Sequence, residues 1–153
     1  MSTTSIYSVF KTKANCIGEL RNGHGSAIAL WEYISQKYRG KRFDLFDHDD
    51  NFFDIWKTEG FSDKDKIVLF STYDDAYVEI ERLEEYAEAC REIHDSIIRD
   101  TEWTWNHFRD IADIAEKLFI SHDYRSLGLG IGCTSVCDPW MDFDEKKIWG
   151  VYS

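Results

Sequence analysis

The chain has 153 residues, a formal net charge of −11, and six Trp, eight Tyr and ten Phe. That length fits one domain, residues 1–153, with a core of its own, and an apolar share of 43% excludes a disordered polyanion. The acidity excludes a nucleic-acid-coating surface over most of the molecule and favours cationic partners.

The charge is unevenly spread. Residues 1–42 carry seven Lys/Arg against two Glu, whereas residues 44–102 carry nineteen acids and six bases. Residues 1–10 lack a basic segment followed by an apolar one, and no window approaches the ~18 consecutive apolar residues of a membrane span. Neither a signal peptide nor a membrane span is expected. The protein is then expected in the cytoplasm, with Cys16, Cys90, Cys133 and Cys137 as reduced thiols.

Residues 5–13 alternate Ile6, Ser8 and Phe10 with Tyr7, Val9 and Lys11, which predicts an edge strand. Residues 15–25 hold three glycines and two asparagines and predict a loop. Ser26 is the expected N-cap of a helix to Tyr38, with Ala27, Leu30, Trp31, Ile34 and Tyr38 on its apolar face. Gly40 and the cations Arg39, Lys41 and Arg42 suit its C-terminus. A short helix is expected from Asp49 or Asp50, whose carboxylates suit an N-terminus. Residues 67–72 (IVLFST) read as a short strand by length and β-branching.

Residues 75–99 carry Ile80, Leu83, Ala87, Cys90, His94 and Ile97 at spacings of 3 and 4, one stripe of a long helix. A break at 100–104 precedes a second helix to about Phe119, with Trp105, Phe108, Ala112, Ala115 and Phe119 on one stripe. So short a break predicts an αα-hairpin. Residues 127–136 alternate Leu127, Leu129, Ile131 and Cys133 with Gly128, Gly130, Gly132 and Thr134, a strand with one nearly bare face. Such glycines let a ring or backbone lie close. Residues 148–152 are a candidate terminal strand. The whole predicts an α+β fold: a small, mostly antiparallel sheet of N-terminal, central and C-terminal strands, packed with about four helices.

The long helix also bears Glu81, Glu84, Glu85, Glu88, Glu92 and Asp95 on and beside its outer face. Glu81/Glu85, Glu84/Glu88 and Glu88/Glu92 are like-charge pairs that each cost a few tenths of a kcal/mol. At the helical rise the six acids fall roughly 4 Å apart, close to the ~3.4 Å phosphate spacing of one DNA strand. The stripe is therefore either a solvated face or an imitation of a phosphate row.

Other clusters point less far. Asp44, Asp47, Asp49, Asp50 and Asp54 lack the register of a calcium loop: Asp49 stands where glycine is needed and Ile55 where glutamate is needed. Cys133 and Cys137 have no second close pair to complete a zinc site. Gly23-His24-Gly25-Ser26, with Arg21 nearby, opens a helix as an anion loop would, but lacks the lysine of a P-loop. Cys90 and His94, four apart, are within reach of each other but lie on the apolar stripe. His107 with Asp110 or Asp113 is ordinary surface pairing. Lys37, Arg39, Lys41 and Arg42 suit internal docking against the acidic part or a mixed-charge interface better than direct nucleic-acid binding.

No catalytic, cofactor-binding or metal-ligating residues are assigned, and no cofactor or metal is expected. The reading favoured is a small acidic protein-binding module rather than an enzyme. It would inhibit a basic, nucleic-acid-handling protein, as a nucleic-acid mimic of the antirestriction or anti-CRISPR kind or as a toxin-neutralising immunity protein. Glu81, Glu84, Glu85, Glu88, Glu92 and Asp95, with Asp49 and Asp50, would supply the charge, and Trp56, Trp103 or Trp140 the anchors. Direct nucleic-acid or membrane binding is not expected. The alternatives are a small enzyme built on a Cys/His pair or the Gly23–Ser26 loop, and a homo-oligomeric structural protein joined by aromatic faces.

Overall fold

The structure, a computed structural model, describes residues 3–11, 13–21, 23–43, 55, 59–70, 76–121, 125–133 and 150–151. Among the described residues five strands form one sheet: β1 (Thr3–Val9), β2 (Ala14–Arg21), β3 (Ala76–Glu79), β4 (Gly128–Cys133) and β5 (Gly150–Val151). Their order is β2-β1-β4-β3-β5. The first four pair antiparallel, and β5 joins β3 in parallel. Among the described residues four α-helices complete an α+β fold: α1 (Gly23–Arg39), α2 (Asp63–Phe70), α3 (Leu83–Asp100) and α4 (Phe108–Ser121).

Alternation along the strands sorts the two sheet faces. Ile6, Leu20, Val78, Leu129 and Ile131 join one core with Leu30 and Ile34 of α1, Ile67 and Leu69 of α2, Tyr86, Cys90, Ile93 and Ile97 of α3, and Phe108, Ala112 and Ala115 of α4. Tyr7, Val9, Ala14 and Tyr77 form a second cluster. Tyr7 and Tyr77 both lie opposite Gly130 in the register. The glycine face of β4 is thus where two tyrosines approach the sheet, as its missing side chains allow.

Several local readings are corrected. The segment expected as an edge strand overlaps β1, which lies between β2 and β4. The expected loop at 15–25 is instead β2 followed by the start of α1, and the Phe10 N–H donating to Lys13 O at 2.8 Å closes a tight β1–β2 hairpin. Gly18 marks a close approach rather than a turn: a Cβ there would stand 2.8 Å from Ile114 Cδ1. Ser26 is not the N-cap of α1 but lies inside it, its hydroxyl accepting the His107 N–H at 2.8 Å.

Residues 67–70 are helix, not strand. The Ser62 hydroxyl accepts the Asp65 N–H at 3.2 Å, and Asp63 and Asp65 sit in the first turn of α2, a capped and charge-matched start. Ile67, Val68 and Leu69 are all buried, so no polar face betrays the helical period. The helix expected from residue 75 begins only at Leu83, because 76–79 pair with β4 and Ile80–Arg82 form a single 3₁₀ turn. Beyond the helix, Thr101 and Trp103 fold onto the C-terminus of α3: the Thr101 hydroxyl donates to Ile97 O and accepts the Trp103 N–H. The break therefore reaches residue 107. Trp105 lies in it rather than on α4, which starts where the Asn106 side-chain oxygen accepts the Phe108 N–H.

Two buried carboxylates tie the helices together. Asp65 accepts Lys37 Nζ at 2.8 Å and the Tyr38 hydroxyl at 2.5 Å, joining α1 to α2. Glu32 accepts Arg42 Nε at 2.9 Å and the Trp103 indole N–H at 2.7 Å, joining α1 to the α3–α4 break. Lys37 in the last turn of α1 and Arg42 just beyond it thus engage buried carboxylates. Burial pulls the Lys37 pKa down, but hydrogen bonds to Asp65 and Tyr33 and the Asp65 charge outweigh it and hold the value above the ordinary 10.5. A raised lysine pKa stabilises the fold fully below the unfolded value and ceases to do so as pH rises through the folded one. The stability difference between wild type and Lys37→Met, read from urea melts, should therefore shrink above about pH 10.5. With the lysine side chain 44% exposed, its size should be about 1 kcal/mol or less.

Candidate protein-binding face

Helix α3 packs against both α2 and α4. It buries Leu83, Tyr86, Ala87, Ala89, Cys90, Ile93 and Ile97, which leaves its acids outward. Glu84, Glu88, Glu92 and Asp95 are exposed and Glu85 is half-exposed. Glu81 is exposed as well, but on the 3₁₀ turn that leads into α3.

The stripe is not electrostatically uniform. Lys64 of α2 reaches across to Glu92 at 2.7 Å and Glu88 at 3.4 Å. The hydrogen bond that Lys64 donates to Glu92, and the Glu88 charge, raise the pKa of its ammonium. Arg82 pairs with Glu85 at 3.0 Å, and His94 Nδ1 lies 3.1 Å from Asp95. Glu81 and Glu84 have no ion-pair partner among the described residues. Exposed pairs such as these contribute little to stability, and Lys64 and Arg82 together offset only two of the six carboxylates, so the stripe stays net acidic.

Sequence reasoning missed the second half of this face. Helix α4 runs antiparallel to α3 and carries Asp110, Asp113 and Glu116, all exposed. Arg91 of α3 meets both Asp113, at 3.1 Å, and Glu116. The signal was present in the three-residue spacing of those acids, which places them on one helical flank. It gained meaning only once α4 lay beside α3. Arg91 divides the seam in two. On one side a cleft of about 310 Å³ is lined by Arg91, His94, Asp95, Arg109 and Asp113. On the other a groove of about 280 Å³ is lined by Glu84, Ala87, Glu88, Arg91, Glu116, Phe119 and Ile120.

The remaining sequence candidates divide clearly. Trp103 is half-buried, with its indole N–H held by Glu32, so it is engaged inside the protein. Asp49, Asp50, Trp56 and Trp140 lie outside the described residues, as do the rest of the acidic cluster at 44–54, Cys137 and the side chain of Cys133. Among the described residues no three His, Cys, Asp or Glu side chains gather as metal ligands, and no helix is long and apolar enough to cross a membrane.

The Cys90/His94 pair is pulled apart in character. Cys90 is fully buried, and desolvation pushes its thiol up to about 12, far from the thiolate a nucleophile needs. His94 faces Asp95 instead. Cys16, by contrast, is exposed on β2. Alkylation of the native protein followed by peptide mass mapping should modify Cys16 at once and Cys90 only after denaturation. Early labelling of Cys90 would contradict its placement in the core. No protein-family model, curated protein or solved structure matches this chain.

Proposed function

We propose that this protein is an acidic protein-binding module that inhibits a basic, nucleic-acid-handling partner by occupying the surface on which that partner holds phosphates. The observation that carries the reading is the exposed carboxylate run Glu84, Glu88, Glu92 and Asp95 on α3, broadened by Asp110, Asp113 and Glu116 on α4. Acids at this density repel polyanions and steer a cationic surface into contact. Nucleic-acid mimics of the antirestriction and anti-CRISPR kinds work in this way, as do immunity proteins that cover a basic nuclease.

The test is affinity capture of the tagged protein from its native lysate at low salt, with elution by a salt gradient. The expected result is one stoichiometric basic protein, released by moderate salt as screening shortens the reach of the charges. Its nucleic-acid binding should be suppressed on adding the module back. Retention of no such protein, or a captured one whose nucleic-acid binding is unaffected, would overturn the proposal.

A further inference from the structure

The acidic face is not purely electrostatic. At the end of the seam where α3 begins and α4 ends, the groove has an apolar floor of Ala87, Phe119 and Ile120. Ile120 is 75% exposed, the most open large hydrophobic side chain among the described residues. Leaving it in water forgoes the burial that an isoleucine side chain gains in an apolar contact. The rim carries Glu84, Glu88 and Glu116 with one cation of its own, Arg91, while Lys64 reaches Glu88 from α2 at 3.4 Å. Arg91 is already held by Asp113 and Glu116. Glu84, free of ion-pair partners among the described residues, stands beside the open isoleucine.

We propose that this groove seats the apolar face of a cationic amphipathic helix supplied by the partner. Resting on the protein-binding reading above, the assignment adds where contact is anchored and what the partner presents. Two antiparallel helices with an apolar trough form the receiving half of helix-in-groove recognition, in which anchors recur at i, i+3 or i+4. Charge chooses the occupant. A leucine-like side chain over Ile120 and Phe119 brings its neighbours one turn away onto the rim, where Glu84, Glu88 and Glu116 favour Lys or Arg. A second copy of this chain would set those same carboxylates against each other. A small molecule would find an open trough of about 280 Å³, below the ~300–1,000 Å³ typical of ligand sites.

The probe is a fluorescein-labelled helical peptide made only of Leu and Lys, with leucines on one face. Its control has serine in place of each leucine and the same charge. Affinity is read by fluorescence anisotropy and location by amide chemical shifts. The leucine peptide should perturb the amides of Ala87, Phe119 and Ile120 and bind at least tenfold tighter than the serine control. Ile120→Ser, at a surface position that leaves folding intact, should weaken it at least tenfold. Glu84→Gln should weaken it severalfold and flatten its salt dependence.

Equal affinity for wild type and Ile120→Ser, or shifts confined to other surfaces, would overturn the groove. So would a concentration-dependent dimer, seen by light scattering and abolished by Ile120→Ser, because the occupant would then be a second copy. The two proposals fail separately. A salt-released partner held equally well by Ile120→Ser removes the groove and leaves the inhibitory module standing. Docking of the peptide in the groove with no salt-released partner removes the inhibitor and leaves the groove.

Discussion

Gly128→Ala is expected to prevent the chain from reaching its native fold. A Cβ at this position would stand 2.2 Å from Val78 O, 2.8 Å from Tyr77 Cε2 and 3.1 Å from Glu79 Cα. Two of those three atoms are backbone of β3, so no side-chain rotation relieves the clash. Strands β3 and β4 would have to part, and with them the pairs Val78–Leu129 and Ala76–Ile131. The backbone φ of +156° adds strain for any L side chain. Separating a central strand from its neighbour removes hydrogen bonds and core burial together, a loss comparable with the whole ~5–15 kcal/mol of a domain.

Two other glycines calibrate the expectation. Gly40 has φ +68° but nothing within 4 Å of a Cβ, so Gly40→Ala carries conformational strain alone, about 1 kcal/mol. Gly18→Ala meets only the terminal methyl of the half-buried Ile114, with no backbone in the way, and should cost far less than Gly128→Ala. Circular dichroism and urea melts should rank Gly128→Ala far below both. A cooperative melt of Gly128→Ala within about 1 kcal/mol of wild type would contradict the β3–β4 register.

The strand that carries Gly128 was also the part of the sheet most legible in the sequence, because Leu129 and Ile131 alternate with bare glycines. The stripe of α3 was legible for the same reason: Leu83, Ala87, Cys90 and Ile97 keep helical spacing and are all buried. What failed to show was structure whose local signal points elsewhere. β2 carries Asn15 and Gly18, turn residues by composition, yet it is specified by pairing with β1 and by Ile114 lying over Gly18. In α2 three consecutive apolar residues are all buried, and such a run has no period to read. Residues 76–79 look like an extension of the α3 pattern and are claimed by β4 instead, an instance of tertiary pairing overriding local preference.

The candidate site was legible in its charges and not in its shape. The acids of α3 could be named from spacing, but their partners could not: Lys64 lies on another helix, twenty-four residues from Glu88. The groove required α4 to pack antiparallel beside α3, bringing Ile120 near Glu84 across thirty-six positions of sequence.

Reversing Glu84, Glu88 and Glu92 together to lysine is expected to weaken capture of the proposed partner by at least about 100-fold while the protein still folds. Close interfacial charge pairs carry coupling energies of ~1.5–7 kcal/mol, and like charges across an interface repel. A loss of ~2.7 kcal/mol already amounts to 100-fold. The folded state should lose far less, because the pairs broken are the exposed Lys64–Glu88 and Lys64–Glu92 contacts, each worth ~0–1 kcal/mol. Adding Lys64→Glu to the triple variant restores opposite charge across α2 and α3. It should recover that small stability loss without recovering binding. A second control separates the local face from the field of the whole chain. Reversing Glu19, Glu59 and Glu102, all exposed and none of them on α3, changes the net charge equally. If capture depends on the α3 face, this variant should retain most of its affinity and lose chiefly association rate, since distant charges steer encounter more than they hold the complex. Equal weakening by the two triple variants would show that net charge alone governs binding, and would remove α3 from its centre.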